Sequence, residues 1–255
     1  MTELPAACFV GALGLAVGSF LNVCIYRLPR HQSIVWPASK CLMCGRPLHW
    51  FETIPVLAYF ALGGRCRTCG VGISVVYPMV ELVTPALFML QYFQLGWQPL
   101  MVGRLVFICA MVTLFVTDLQ QRILPNVITM PGIVIGLVSS IFLVPGFHNG
   151  LIGTVVGGGM LLALREGYHR VRGEEGLGMG DVKMVSMIGA FLGWKLMLVT
   201  VVMASVLGAA IGIGMLTFNV VDRKYALPFG SFLAVGAIVA SVVGQEVVVW
   251  YVSLL

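Results

Sequence analysis

Charge is what this sequence has least of. Of its 255 residues, only 10% are Asp, Glu, Lys or Arg and 59% are hydrophobic, where a soluble domain carries about a quarter charged residues. With a mean hydropathy of +1.00, a water-soluble globule is excluded, and several membrane spans of about 20 residues become the default. Histidine is also scarce. His31, His49, His148 and His169 are scattered, and Ser19, Ser231 and Ser241 have no credible His partner, so no Ser–His nucleophile is on offer. No Lys or Arg precedes the first apolar run, whereas Arg27 and Arg30 follow it, the reverse of a secretion signal. There is no strand, GxGxxG turn and helix unit for a Rossmann-type cofactor site. Internal repeats and low-complexity segments are missing as well.

What is present is a series of apolar runs, at residues 5–26, 77–95, 100–117, 126–144, 151–164, 182–193, 196–220 and 227–255. Several fall short of the 17 to 25 residues a span needs, so half-helices or helices that start below the membrane surface are expected. The fold class this predicts is all-α, a polytopic membrane protein of about eight transmembrane helices. The organisation divides into a first transmembrane helix (1–26), a polar loop (27–76) and a transmembrane core (77–255). With eight alternating crossings, every basic residue except Arg104 and Lys195 falls on one side, Arg223 and Lys224 included. Retention of basic residues makes that side cytoplasmic. The same topology, together with anionic lipid headgroups, accounts for the net charge of +5, so nucleic acid is not an expected partner. Gly157 to Gly159, with Gly208, Gly212 and Gly214, read as close-packing positions between helices.

The polar loop carries Cys41-Leu-Met-Cys44 and Cys66-Arg-Thr-Cys69. Two CxxC knuckles with Gly45 and Gly70 directly after them match a zinc-ribbon-like insertion, in which four thiolates close a tetrahedral Zn2+ site. Closed coordination of this kind folds a loop, because a catalytic zinc keeps a position open for water or substrate. Cys8, Cys24 and Cys109 lie in the apolar runs and read as small packing residues.

Acidic residues inside apolar segments are costly and mark candidate sites. Glu81, Asp118, Asp181 and Glu246 qualify, and Asp118 and Asp181 both fall at the cytoplasmic edge. Two carboxylates brought together can share one proton, one accepting a proton from water while the other donates, which hydrolyses a peptide bond without a covalent intermediate. The competing reading is that Asp181 caps the helix that follows and Asp118 a turn ahead of Pro125. Gly178 and Gly180 would let backbone and substrate approach Asp181 closely. Lys183 either acts on a dyad carboxylate through its charge or snorkels to headgroups. Glu81 either helps fix the dyad or pairs with Arg122 or a backbone amide. Asn22 reads as bonding another helix, and Glu166, Glu174 and Glu175 as a solvated loop or a steering patch for basic peptide. Glu246 is given no role.

Six elements appear in order: Gly18-Ser-Phe-Leu-Asn-Val-Cys-Ile-Tyr-Arg-Leu-Pro29, the paired CxxC loop, Tyr77-Pro-Met-Val-Glu-Leu-Val-Thr84, Asp118 with Pro125, Gly178-Met-Gly-Asp-Val-Lys183, and Pro228-Phe-Gly230. Together they resemble the bacterial type IV prepilin peptidases, membrane aspartic proteases with a Gly-x-Gly-Asp element. The resemblance implies a bifunctional enzyme of the bacterial inner membrane with its active site facing the cytoplasm. It implies cleavage of basic leaders from prepilins and type II secretion pseudopilins, then N-methylation from S-adenosyl-L-methionine. It places catalysis on Asp118 and Asp181 and zinc on Cys41, Cys44, Cys66 and Cys69. Membrane lipid is a partner on this reading, and a homo-oligomer is compatible with it. Ser231 departs from the pattern, which often has Pro there. A proton-coupled transporter with a structural zinc loop is the alternative, for which the carboxylates should lie near mid-bilayer. A non-enzymatic zinc-ribbon scaffold is a third.

Overall fold

The computed structural model describes residues 3–173, 176–218 and 227–253. Glu174, Glu175, Arg223 and Lys224 lie outside the described residues. Among those described there is no strand, and the α-helices are α1 (Glu3–Arg27), α2 (Leu57–Ala61), α3 (Val76–Leu95), α4 (Pro99–Gln121), α5 (Asn126–Phe142), α6 (Phe147–Arg172), α7 (Met179–Thr217) and α8 (Phe229–Val252). Six are long and apolar enough to cross a bilayer, and α5 is a shorter apolar helix. The chain is an all-helical, multi-pass membrane protein.

Seven apolar helices account for eight apolar runs because α7 contains two of them. Gly193, at φ 78° and ψ 170°, interrupts its 39 residues. A side chain there would be strained by the positive φ and would also meet the Pro145 ring, with Cβ only 2.9 Å from Pro145 Cβ. The part of α7 before the break rises about 21 Å at 1.5 Å per residue, short of a hydrocarbon layer of about 30 Å. It is the expected half-helix, shielded by protein: Met184, Val185, Met187, Ile188 and Ala190 are fully buried.

The helices group into two compact units, Met1–Met101 and Val102–Leu255. In the first, α1 packs along α3. Gly11, Gly14 and Gly18 line one face of α1, and a Cβ at Gly14 would fall 2.5 Å from Pro85 Cα. Close backbone approach of this kind supplies van der Waals contact where lipid supplies no hydrophobic drive. Asn22 adds a bond to the neighbouring helix, its Nδ2 donating to Tyr77 O at 3.1 Å.

In the second unit α7 is central. It packs on α5, α6 and α8, and Phe191 lies against Phe107 of α4 with ring centroids 5.2 Å apart. The α6–α7 crossing is glycine on glycine, since a Cβ at Gly153 would sit 2.7 Å from Gly189 O. Two of the six glycines read as close-packed are not. Gly157 meets Val185 and Met197, Gly158 meets Ser186, Gly208 meets Phe232 and Gly212 meets Leu227, but Gly159 and Gly214 face open space. Each lies two residues beyond a packed glycine, Gly157 or Gly212, which at 3.6 residues per turn puts it on the opposite face of its helix.

Candidate functional site

Within the first unit the two CxxC segments fold as a matched pair. Cys41 N donates to Arg46 O at 2.9 Å and Gly45 N to Cys41 O at 3.0 Å; Cys66 N donates to Val71 O at 2.8 Å and Gly70 N to Cys66 O at 2.9 Å. Each turn closes on a glycine in the left-handed region, Gly45 at φ 71° and Gly70 at φ 69°. The four Sγ atoms lie within 4.8 Å of one another. Zn–S bonds of about 2.3 Å in a tetrahedron place sulfurs about 3.8 Å apart, and Cys41 Sγ to Cys69 Sγ is 3.8 Å. The donor set therefore fits a zinc ion. Backbone N–H groups of Cys69 and Thr68 push the Cys66 thiol below its usual range, and those of Cys44 and Met43 do the same for Cys41, whereas burial and the three neighbouring sulfurs push Cys69 up to about 11.

An ion pair braces the segment between the knuckles. The Glu52 side chain is 1% exposed and accepts Arg46 Nη2 at 2.7 Å, while its other oxygen accepts His49 N at 2.8 Å. Arg46 first, and the His49 amide second, hold the Glu52 carboxyl below the usual carboxylate range. Glu81 of α3 performs a similar service for the next turn, Oε2 accepting Val56 N at 2.7 Å. Of the partners weighed for Glu81, a backbone amide is the observed one. Val56 stands at φ 63°, ψ −51°, the centre of a γ-turn in which Leu57 N donates to Pro55 O at 2.6 Å. A β-branched residue in that region is strained, by on the order of 1–3 kcal/mol, and the carboxylate holds it there. Between these braces opens a cavity of about 1260 Å³, whose walls include Asn22, Tyr26, Tyr59, Tyr77 and Glu81.

In the second unit three helix ends converge. Asp118 lies in the last turn of α4, Asp181 in the first turn of α7 and Ser231 in the first turn of α8. Asp118 is 5% exposed and Asp181 9%, and the two carboxylates are close enough to repel one another. Oδ2 of Asp118 accepts Ser231 N at 2.7 Å and Ser231 Oγ at 3.0 Å. Oδ2 of Asp181 accepts Gly178 N at 3.2 Å, so Asp181 caps its own helix while also facing Asp118. Two buried carboxylates of unequal surroundings form the arrangement that divides acid and base roles.

The glycines around the pair act through Leu124. A Cβ at Gly180 would fall 2.9 Å from Leu124 Cβ, and one at Gly230 would fall 3.0 Å from both Leu124 Cδ1 and Asp118 Oδ2. Leu124 thus fits between the segments bearing Asp181 and Ser231 only because both flanking residues lack side chains. Lys183 Nζ donates to Asn126 Oδ1 at 2.8 Å, tying α7 to the start of α5. Ser231 is the residue that sequence reasoning missed. It followed a recognised Pro-Phe-Gly element, but its bond to Asp118 spans 113 positions, and no local pattern announces such a pairing.

Comparison with known proteins adds an independent line. The Bacterial Peptidase A24 N-terminal domain model matches residues 12–95 and the Type IV leader peptidase family model residues 105–213. A protein of Myxococcus xanthus named prepilin leader peptidase/N-methyltransferase is 44% identical over 211 residues, covering 82% of this chain and 63% of that protein. Similarly named proteins are 35% identical in Pseudomonas putida, over 92% of this chain and 90% of that one, and 31% identical in Pseudomonas aeruginosa, over 94% and 91%. No solved structure matches.

Proposed function

The chain belongs to the type IV leader peptidase family, and from that premise we propose that it cleaves the leaders of prepilins and pseudopilins by an aspartic dyad and then N-methylates the new N-terminal residue. The observation that carries this reading is the convergence of Asp118 and Asp181, two buried carboxylates from different helices. Their placement in terminal turns also favours hydrolysis at a membrane edge over proton relay near mid-bilayer, where transporter carboxylates belong. By the distribution of basic residues that edge is cytoplasmic, and the membrane is the bacterial inner membrane.

The substrate helix enters from the lipid and unwinds at the leader junction. One carboxylate takes a proton from water as the water oxygen bonds to the scissile carbonyl carbon, and the other delivers its proton to the carbonyl oxygen. On collapse the newly neutral carboxyl protonates the departing nitrogen, its partner recovers a hydroxyl proton, the C–N bond breaks and the dyad returns to its starting state. Gly178 supports Asp181 through its amide, Gly180 through the room it gives Leu124, and Lys183 through its tie to α5. Residues 77–255 form the peptidase core on this reading, with residues 1–26 as the first span.

Cys41, Cys44, Cys66 and Cys69 would hold a structural zinc, folding the loop of residues 27–76. S-Adenosylmethionine supplies, when bound, a methyl group on a cationic sulfur. The cavity beside that loop has the size for such a donor, and its walls carry the Tyr26, Tyr59 and Tyr77 side chains with both acidic (Glu52, Glu81) and basic (Arg27, Lys40, Arg46, Arg67) groups. Glu81 also holds the Val56 turn, which joins the wall residues Ile54 and Ala58. The test is purified protein in lipid, incubated with a prepilin and read by intact mass. Loss of the leader without the methyl donor, and loss plus one added methyl with it, are expected; an uncut prepilin in both arms would overturn the reading.

A further inference from the structure

We propose that Ser231 is a positioning residue that makes Asp118 the base of the dyad and leaves the shared proton on Asp181; this rests on the aspartic reading above. Two donors, the Ser231 amide at 2.7 Å and hydroxyl at 3.0 Å, converge on Asp118 Oδ2, against a single amide at 3.2 Å on Asp181. Hydrogen bonds to a charged group are worth about twice neutral ones, so the ionised form of the pair keeps its charge where the donors are. Among the described residues, the charged groups within electrostatic reach of Asp118 are Arg122 and Asp181. The Arg122 charge acts in the same direction as Ser231, and two neighbouring carboxylates hold one shared proton more cheaply than two charges.

The hydroxyl does more than add a donor. Its one hydrogen has two acceptors in reach, Asp118 Oδ2 at 3.0 Å and Phe115 O at 3.2 Å, and Ser231 is 2% exposed. While Asp118 is ionised the hydrogen points at Oδ2. Once Asp118 has taken the proton from water, Oδ2 becomes the weaker acceptor and the hydrogen turns to the Phe115 carbonyl. No buried donor is orphaned on either side of the proton transfer, and an orphaned donor is the costly outcome. The amide N–H stays on Oδ2 throughout and holds the carboxylate plane.

Ser231→Ala keeps the amide and removes the hydroxyl at a position early in a helix where alanine is tolerated. Assayed for prepilin cleavage across pH, Ser231→Ala is expected to lower kcat about tenfold, the effect of one hydrogen bond to a charged group, with KM unchanged. The acid limb of its rate profile should move to higher pH, because a larger share of the enzyme then carries a proton on the base. Ser231→Thr, which restores a hydroxyl, should return both features to those of the wild type. A wild-type kcat and pH profile in Ser231→Ala would overturn the role of Ser231, as would a Thr variant as impaired as Ala. Asp118→Asn separates the two levels. If it cleaves, the aspartic reading itself falls. If it is inactive while Ser231→Ala is unaltered, only the assignment to Ser231 falls.

Discussion

Gly180→Ala adds one methyl group next to Asp181 and should cost activity without costing the fold. Its Cβ would stand 2.9 Å from Leu124 Cβ and 3.1 Å from Leu124 Cδ1. Apolar carbons rest at about 3.5–4.0 Å, so roughly 0.6 Å must be found. Leu124 cannot retreat toward α8, because its Cδ1 already lies against Gly230, only 3.0 Å from where a Cβ would be. The first turn of α7 must shift, and Asp181 shifts with it. A misplacement of about 1 Å costs up to about a hundredfold in rate, so a fall in kcat of roughly tenfold or more is expected. Alanine is a better helix former than glycine, so the loss cannot be charged to a weaker helix. The control is Gly159→Ala on α6, the same chemical change facing open space. Prepilin cleavage at saturating substrate compares the two. Activity in Gly180→Ala equal to that of Gly159→Ala would refute the steric argument.

Other expectations are independent of that site. Cys41→Ser with Cys44→Ser should lose bound metal and methylation while leader cleavage persists; stoichiometric metal in the double variant would place the site elsewhere. The Glu52 carboxyl is held low by Arg46, so its contribution to the loop is complete above the unfolded value of about 4.3 and is lost as pH falls through the lower folded value. Glu52→Gln should therefore release metal more readily at neutral pH and flatten the acid dependence of its release, and an unchanged acid curve would contradict this. Gly153→Val drives a side chain into the backbone of α7, with Trp194 N only 2.8 Å from the new Cβ. A destabilisation of about 1–3 kcal/mol should lower the thermal midpoint well below that of Gly159→Val, and equal midpoints would count against the glycine-on-glycine crossing.

Hydropathy made the helices legible because lipid enforces it: a segment that crosses the hydrocarbon must be apolar and must satisfy its backbone internally. Even the division of α7 at Gly193 was visible, as a short run ending there and a full-length run after it. The cysteine knuckles were legible because a metal site imposes fixed local spacing, and the turns at Gly45 and Gly70 followed from it. The helix-to-helix role of Asn22 was legible from its depth in a span. The glycine faces were read less well, since composition marked Gly159 and Gly214 while only helical phase excludes them. What sequence could not carry were pairings across the chain: Ser231 with Asp118, Glu81 with the strained Val56 turn, and Leu124 lodged between Gly180 and Gly230. Each depends on how separate helices end against one another, and no period of two or 3.6 residues encodes that. Lys183 shows the same limit. Its charge invited a role on the dyad or at headgroups, and its partner is Asn126, 57 positions away.

The central claim is that Asp118 and Asp181 work as one hydrolytic pair. Its most direct test is leader cleavage by purified Asp118→Asn and Asp181→Asn, each shown to be inserted and folded, with a prepilin as substrate and intact mass as the readout. The pair predicts that both variants leave the prepilin uncut. Cleavage at near wild-type rate by either one would contradict it.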